Sequence, residues 1–196
     1  MRVFLTVLIL IFSLQSWTKA DDIRDFQIEG MSLGDSLLNF ISEEKIKINT
    51  KDWYKKKGFK PVVIDGSYFD SELYDSIEFT IKTNDNKYII YMVAGIEYPK
   101  DINNCYKKQK EIFAQLYPMF GEVSGIKIEE ITEYIHGADP SGKSTFTRGR
   151  YIFESGDSIS VDCNDFTEET NYPDEMYVAI DSKEFYDWIM TGESAY

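Results

Sequence analysis

The chain has 196 residues, with 34 Asp and Glu against 21 Lys and Arg, a formal charge of −13, and a rich aromatic complement of 14 Tyr and 13 Phe. Such an acidic surface repels phosphate backbones and anionic lipid, which argues against nucleic-acid and membrane-surface binding. The length fits one domain with a real core, and no repeat, low-complexity tract or Pro/Gly/Ser linker marks a second.

Residues 1–20 read as a secretory signal peptide. Arg2 precedes the apolar run Val3–Phe12, and Thr18-Lys19-Ala20 offers small residues before Asp21. The polar residues Ser13, Gln15 and Ser16 cut the run short of the roughly 20 apolar residues that a spanning helix needs. No Cys stands at the leader's exit to take a lipid. The expected mature chain, residues 21–196, is a single periplasmic or secreted domain. Cleavage removes Arg2 and Lys19 and no acid, so 19 basic side chains face 34 acidic ones, a charge of −15. No later segment is apolar enough to enter a membrane.

Ser32-Leu33-Gly34-Asp35 spells a capping box, predicting a helix with Leu37, Leu38 and Ile41 on one face that ends near Lys47. Asp52–Lys60 is polar and basic, with Trp53 and Tyr54 as anchors onto the body. Val62-Val63-Ile64 is a short strand closed by Asp65-Gly66. Ile77, Phe79 and Ile81 alternate with Glu78, Thr80 and Lys82, the period of a half-buried strand. Asn84-Asp85-Asn86 turns the chain, and Tyr88–Ile96 returns as a central strand.

Asp101 caps a helix carrying Cys105, Ile112 and Leu116 on one face, stopped by Pro118 or Gly121. Ile126–His136 fits a strand or a helix. The strand is preferred, because Asp139-Pro140-Ser141-Gly142 is turn chemistry and Thr145–Glu154 is β-rich beyond it. Ile159, Val161 and Cys163 alternate as a strand, Met176, Val178 and Ile180 form the last one, and Asp181–Glu184 opens a closing helix with Phe185, Trp188 and Ile189 inward. The order predicts an α+β fold: a largely antiparallel sheet with helices packed on one face. In an exported chain the pair Cys105 and Cys163 reads as one disulfide stapling the long helix to the sheet, with two buried thiols as the alternative.

Gly137-Ala138-Asp139-Pro140-Ser141-Gly142-Lys143-Ser144 matches the phosphate-loop spelling, and Tyr177–Asp181 mimics the apolar strand whose acid would hold magnesium. Loop amides cradle phosphate only between a buried strand and a helix N-terminus. Here Thr145–Arg150 is β-branched, aromatic and broken by Gly149, so a hairpin turn is expected. His136, the single histidine, lies near Asp139, Ser141 and Ser144, but no nucleophile elbow accompanies it. The acids Asp162, Asp165, Glu168, Glu169, Asp174 and Glu175 lack calcium-loop spacing because Phe166 occupies a ligand position. No catalytic residue, metal ligand or cofactor is assigned. Aromatics at Tyr68, Phe69, Tyr74, Phe166 and Tyr172, with Tyr177 beside the last two, form a candidate binding surface able to stack on sugar rings or anchor a partner.

The stretch Asp22–Leu38 (DIRDFQIEGMSLGDSLL) and the turn Asp139–Ser144 resemble a group of small secreted proteins of unknown function from marine alphaproteobacteria. The resemblance implies a Gram-negative periplasmic setting and no particular reaction. The functional expectation is an exported, non-enzymatic binding or accessory protein for a protein or small-molecule ligand, cationic if charge steers the choice. The alternatives are a small carboxylate-dependent hydrolase using Asp162, Asp165, Glu168 or Glu169, and an acidic inhibitor of a cationic enzyme.

Overall fold

A computed structural model describes residues 23–121 and 123–190. The expected signal peptide lies outside the described residues. The elements in chain order are α1 (Glu43–Asn49), β1 (Phe59–Asp65), β2 (Ser76–Lys82), β3 (Ile90–Glu97) and α2 (Ile102–Phe120). They continue with β4 (Lys127–Ile135), β5 (Thr145–Ile152), β6 (Ser158–Asp165), β7 (Glu175–Asp181) and α3 (Lys183–Met190). The strands form one seven-stranded sheet in the order β1-β2-β3-β7-β6-β5-β4. Every neighbouring pair is antiparallel. The α+β architecture expected from the sequence is therefore present. The last strand returns to the middle of the sheet, joining the β1–β3 meander to the β4–β6 meander.

The ambiguous stretch before His136 is a strand, β4, at the sheet's edge. Asp101 caps α2 through its carboxylate, which accepts from the Asn103 N–H at 3.0 Å. Pro118 stays inside that helix, and Gly121 ends it.

The helix expected from Ser32 to Lys47 does not form as one piece. Half of the capping box is present, since the Ser32 N–H donates to Asp35 Oδ2 at 3.0 Å. The chain then takes a positive φ of 85° at Gly34 and pairs with the start of β3, Gly34 N–H to Ile90 O at 3.0 Å and Leu37 N–H to Tyr88 O at 2.9 Å. Tertiary pairing outweighs the local signal. A 3-10 turn at Leu37–Asn39 follows, and the true helix α1 begins after Ser42, whose hydroxyl accepts from the Lys45 N–H at 3.3 Å.

The first face of the sheet carries the main core. Ile64, Ile77, Phe79, Val93, Val161 and Ile180 point there, against Leu116 and Phe120 of α2 and Phe26, Met31 and Leu37 of the N-terminal segment. Two devices seat α2. The buried Gln109 side chain donates to Thr147 O at 2.9 Å and Val161 O at 2.7 Å, satisfying itself inside the core. The Cys105–Cys163 disulfide, with Cα atoms 6.0 Å apart, joins the helix to β6 as the sequence predicts.

The second face is not left to solvent. Phe185 of α3 packs there on Phe59, Met92, Ala94 and Ala179, with Trp188 against Phe59 at 5.2 Å. The helices thus divide between the two faces, α2 on one and α3 on the other. This explains why β2 departs from its expected half-burial: Glu78 is 3% and Thr80 0% exposed. Period two shows which residues share a face, and only tertiary packing decides whether that face meets water.

Candidate functional site

Antiparallel register sets two rows of side chains next to each other on the second face, beyond α3. One row is Glu175, Asn164, Phe146 and Tyr134 on β7, β6, β5 and β4. The adjoining row is Tyr177, Asp162, Arg148 and Thr132. Aromatic, ionic and amide groups thereby share one floor.

The ionic centre is Arg148 with Asp162. Arg148 Nε and Nη2 donate to Asp162 Oδ2 at 2.8 and 2.5 Å. Asp162 is 4% exposed, and its other oxygen, Oδ1, has no hydrogen-bond partner within the protein. Burial raises the Asp162 pKa, against the pull of Arg148 and Arg150. Burial also opposes the charge of Arg148, but Asp162 overcomes it and holds the guanidinium protonated. On the next strand position of β5, Arg150 donates to Ser158 Oγ at 2.9 Å and stacks over Tyr186 of α3, 3.6 Å from the ring centre.

Three further carboxyls on this face are pushed toward neutrality. Burial lifts Glu78 to about 8, with Glu175 and Asp181 adding to it, although Tyr177 Oη donates to it at 2.6 Å. Burial lifts Glu175 to about 7, against an Asn164 Nδ2 hydrogen bond at 3.1 Å. Asp181 rises to about 6 for the same reason, opposed by Arg148 and Arg150.

The wall of the site is aromatic. Tyr134 stacks on Phe146 at 5.1 Å, Phe146 meets His136 at 5.7 Å, His136 meets Phe166 at 4.6 Å, and Phe166 meets Tyr172 at 5.3 Å. The chain of rings runs from the β4–β5 hairpin to the β6–β7 connection. Its two ends are exposed, Tyr134 at 45% and Tyr172 at 53%. The Arg148 guanidinium lies 5.0 Å from the Phe146 ring centre, so a cation from the protein itself already sits between this ring and Asp162.

The phosphate-loop spelling folds as the β4–β5 hairpin connection, followed by strand β5 rather than a helix. Its organiser is Asp139. The carboxylate accepts from Ser141 N–H at 2.8 Å, Ser144 N–H at 2.9 Å and the hydroxyls of Ser141 and Ser144 at 2.9 and 2.7 Å. These bonds hold its pKa well below the ordinary carboxylate range. Lys143 pairs with Glu169 at 2.8 Å. His136 Nδ1 accepts from the Ala138 N–H at 3.2 Å, and burial lowers its pKa to about 4, so the ring is neutral near pH 7. The Asp139 carboxylate is engaged by the hydroxyls and amides of Ser141 and Ser144.

The five candidate surface aromatics separate. Phe166 and Tyr172 touch and belong to the ring wall. Tyr68, Phe69 and Tyr74 lie in the β1–β2 connection instead: Phe69 packs on core Phe79 at 6.1 Å, and Tyr74 fills the space over Gly95 on the first face. A Cβ on Gly95 would stand 2.3 Å from the Tyr74 ring. The acids scatter as well. Asp162 and Glu175 stand on the site's floor, whereas Asp165 accepts from Tyr106 Oη at 3.0 Å, Asp174 from the Phe166 N–H at 3.0 Å, and Glu169 takes Lys143. Among the described residues no three His, Cys, Asp or Glu side chains are grouped to hold a metal ion.

Tyr134, Phe146, Arg148 and Glu78 were not singled out as site residues by sequence. Tyr134 and Phe146 are equally spaced about the hairpin turn, and the turn's register, once known, pairs them. Arg148 meets Asp162 only through the β5–β6 register. No family model matches the chain, and neither a curated protein nor a solved structure is detectably similar to it. Among the described residues no helix is long and apolar enough to cross a membrane.

Proposed function

We propose that this chain is an exported, non-enzymatic binding protein whose ligand face is the end of the sheet's second face beyond α3. The observation that carries the reading is the convergence of an aromatic row with exposed ends and the Arg148–Asp162 pair on one floor. Sites of this type combine apolar contact area with a few fixed polar groups that orient the ligand. Export is supported by the leader-like residues 1–20 and by the Cys105–Cys163 bridge, which suits an oxidising compartment.

The hydrolase alternative is weaker. A general acid must reach its substrate. Glu78, whose pKa burial raises most among these carboxyls, is sealed at 3% exposure under Tyr177, and of the acids considered for catalysis Asp165 is held by Tyr106 and Glu169 by Lys143. The test is hydrogen–deuterium exchange on the disulfide-bonded protein, with and without concentrated periplasmic or culture fluid. Protection confined to residues 132–136, 145–148 and 164–177, and lost in a Tyr134→Ala/Tyr172→Ala variant, is expected. Protection elsewhere, or none, overturns the reading.

A further inference from the structure

We infer that the ligand of this face is an uncharged saccharide chain, an assignment that rests on the binding reading above. Three observations choose that chemistry.

The first is the shape of the apolar element. Tyr134, Phe146, His136, Phe166 and Tyr172 form a continuous line of rings at 4.6–5.7 Å steps, exposed at both ends. The rings turn against one another by 24–82°, so a ligand meets chiefly the two exposed end rings, Tyr134 and Tyr172, set apart along the wall; that spacing matches an extended ligand with C–H faces repeated along its length. A compact ligand or a single cation would call for rings converging on one point.

The second is hydrogen-bonding capacity. Asp162 is sealed in the floor, where its role is to orient Arg148, whose guanidinium is the partly exposed member of the pair. Arg148 is a multiple donor whose Nε and Nη2 are committed to Asp162 Oδ2. Asn164 and Glu175 add an amide and a carboxyl held together at 3.1 Å. The Arg148 donor and the half-buried Asn164–Glu175 pair on the same floor complement a hydroxyl, which both donates and accepts, and hydroxyls are what a saccharide presents around its apolar faces.

The third is charge. Glu168, Glu169 and Asp174 flank the ring wall, and the whole chain carries −13. That field repels uronate or sulfated polymers. A cationic ligand is not required either, because Arg148 already fills the place between Phe146 and Asp162 that a cation would take. The uncharged polymer remains.

Affinity electrophoresis tests the assignment. The disulfide-bonded protein is run through native gels containing hydroxyethylcellulose, laminarin or glycol chitin, with polygalacturonate as the anionic control, and binding to oligolysine is measured separately. At least one neutral polymer is expected to retard the protein, with affinity falling ten-fold or more in Tyr134→Ala/Tyr172→Ala. Both tyrosines are exposed, so the variant keeps its core, and Trp53→Ala, exposed away from the rings, should behave as wild type. Retardation by no neutral polymer, or equal retardation of the double variant, overturns the saccharide assignment. Salt-sensitive oligolysine binding that the double variant loses would do so as well, while leaving the face itself as the binding surface. A ligand bound without regard to either tyrosine would remove both readings.

Discussion

The hydroxyl of Tyr177 on β7 donates to Glu78 Oε2 on β2 at 2.6 Å, crossing β3 between them. The contact closes the second face over a carboxyl that would otherwise have to meet water. It also makes folding depend on the protonation of that carboxyl.

Burial lifts Glu78 from its ordinary 4.5 to about 8. The folded form therefore holds its proton where the unfolded chain has released it. Stability from this group is full below pH 4.5 and is lost as pH rises through about 8, a change on the order of 5 kcal/mol. Glu175 and Asp181, raised to about 7 and 6, push in the same direction. Glu78→Gln keeps the shape and an acceptor for Tyr177 and cannot ionise. Thermal melts should show the variant close to wild type at pH 5 and clearly more stable at pH 8.5. A gap independent of pH would mean that Glu78 is charged in the folded state.

The hairpin end has the opposite slope. Serine hydroxyls and amides stabilise ionised Asp139, and burial keeps His136 neutral until about pH 4. A depressed carboxyl stabilises above its unfolded pKa, and that contribution fades in acid. A depressed imidazole likewise loses stability as pH falls from about 6.5 toward 4. Amide exchange in residues 136–147, corrected for intrinsic rates, should accelerate between pH 6.5 and 4. Asp139→Asn should show fast exchange at both values, since an amide cannot accept four donors at once.

The contrast between these two ends shows what was legible in the chain. Strand β6 is legible because Ile159, Val161 and Cys163 alternate with polar residues, and the Cys105–Cys163 staple because two cysteines in an expected exported chain read as one disulfide, with one on a helix stripe and the other on an inward strand face in support. The failure at Ser32 has a physical cause: the capping box is a local signal, and Gly34 at positive φ hands the chain to β3 instead. Within the site, Phe166 and Tyr172 were found because they sit six residues apart in one loop. Asp162 is legible as a candidate acid, but its pairing with Arg148, and that of Glu78 with Tyr177, join different strands through register, which one chain's alternation does not encode.

Gly149 offers a packing test. A Cβ there would stand 2.7 Å from the Phe113 ring and 2.9 Å from Ile131, which press the helix side of β5. Gly149→Ala overpacks this contact and should cost about 1–3 kcal/mol. Adding Phe113→Leu should recover part of that loss, a positive coupling in a double-mutant cycle by chemical denaturation. Strict additivity would show that Phe113 moves freely out of the way.

The disulfide makes the last case, because its contribution lies in the unfolded chain as much as in the folded one. Cys105 and Cys163 are 58 residues apart, and closing a loop of that length restricts the denatured ensemble by about 4 kcal/mol in the chain-entropy account. In the folded state, Gln109 and the packing of Leu116 and Phe120 already hold α2 to the sheet without the bond. A Cys105→Ser/Cys163→Ser variant should therefore still fold with the same far-ultraviolet spectrum, but unfold at lower urea concentration by a free energy near that value. Affinity at the proposed face should not change, since the bridge lies between α2 and the first face of the sheet, and the ring wall stands on the opposite face. Loss of binding together with stability would mean that the staple positions the site, and that the two faces do not act independently.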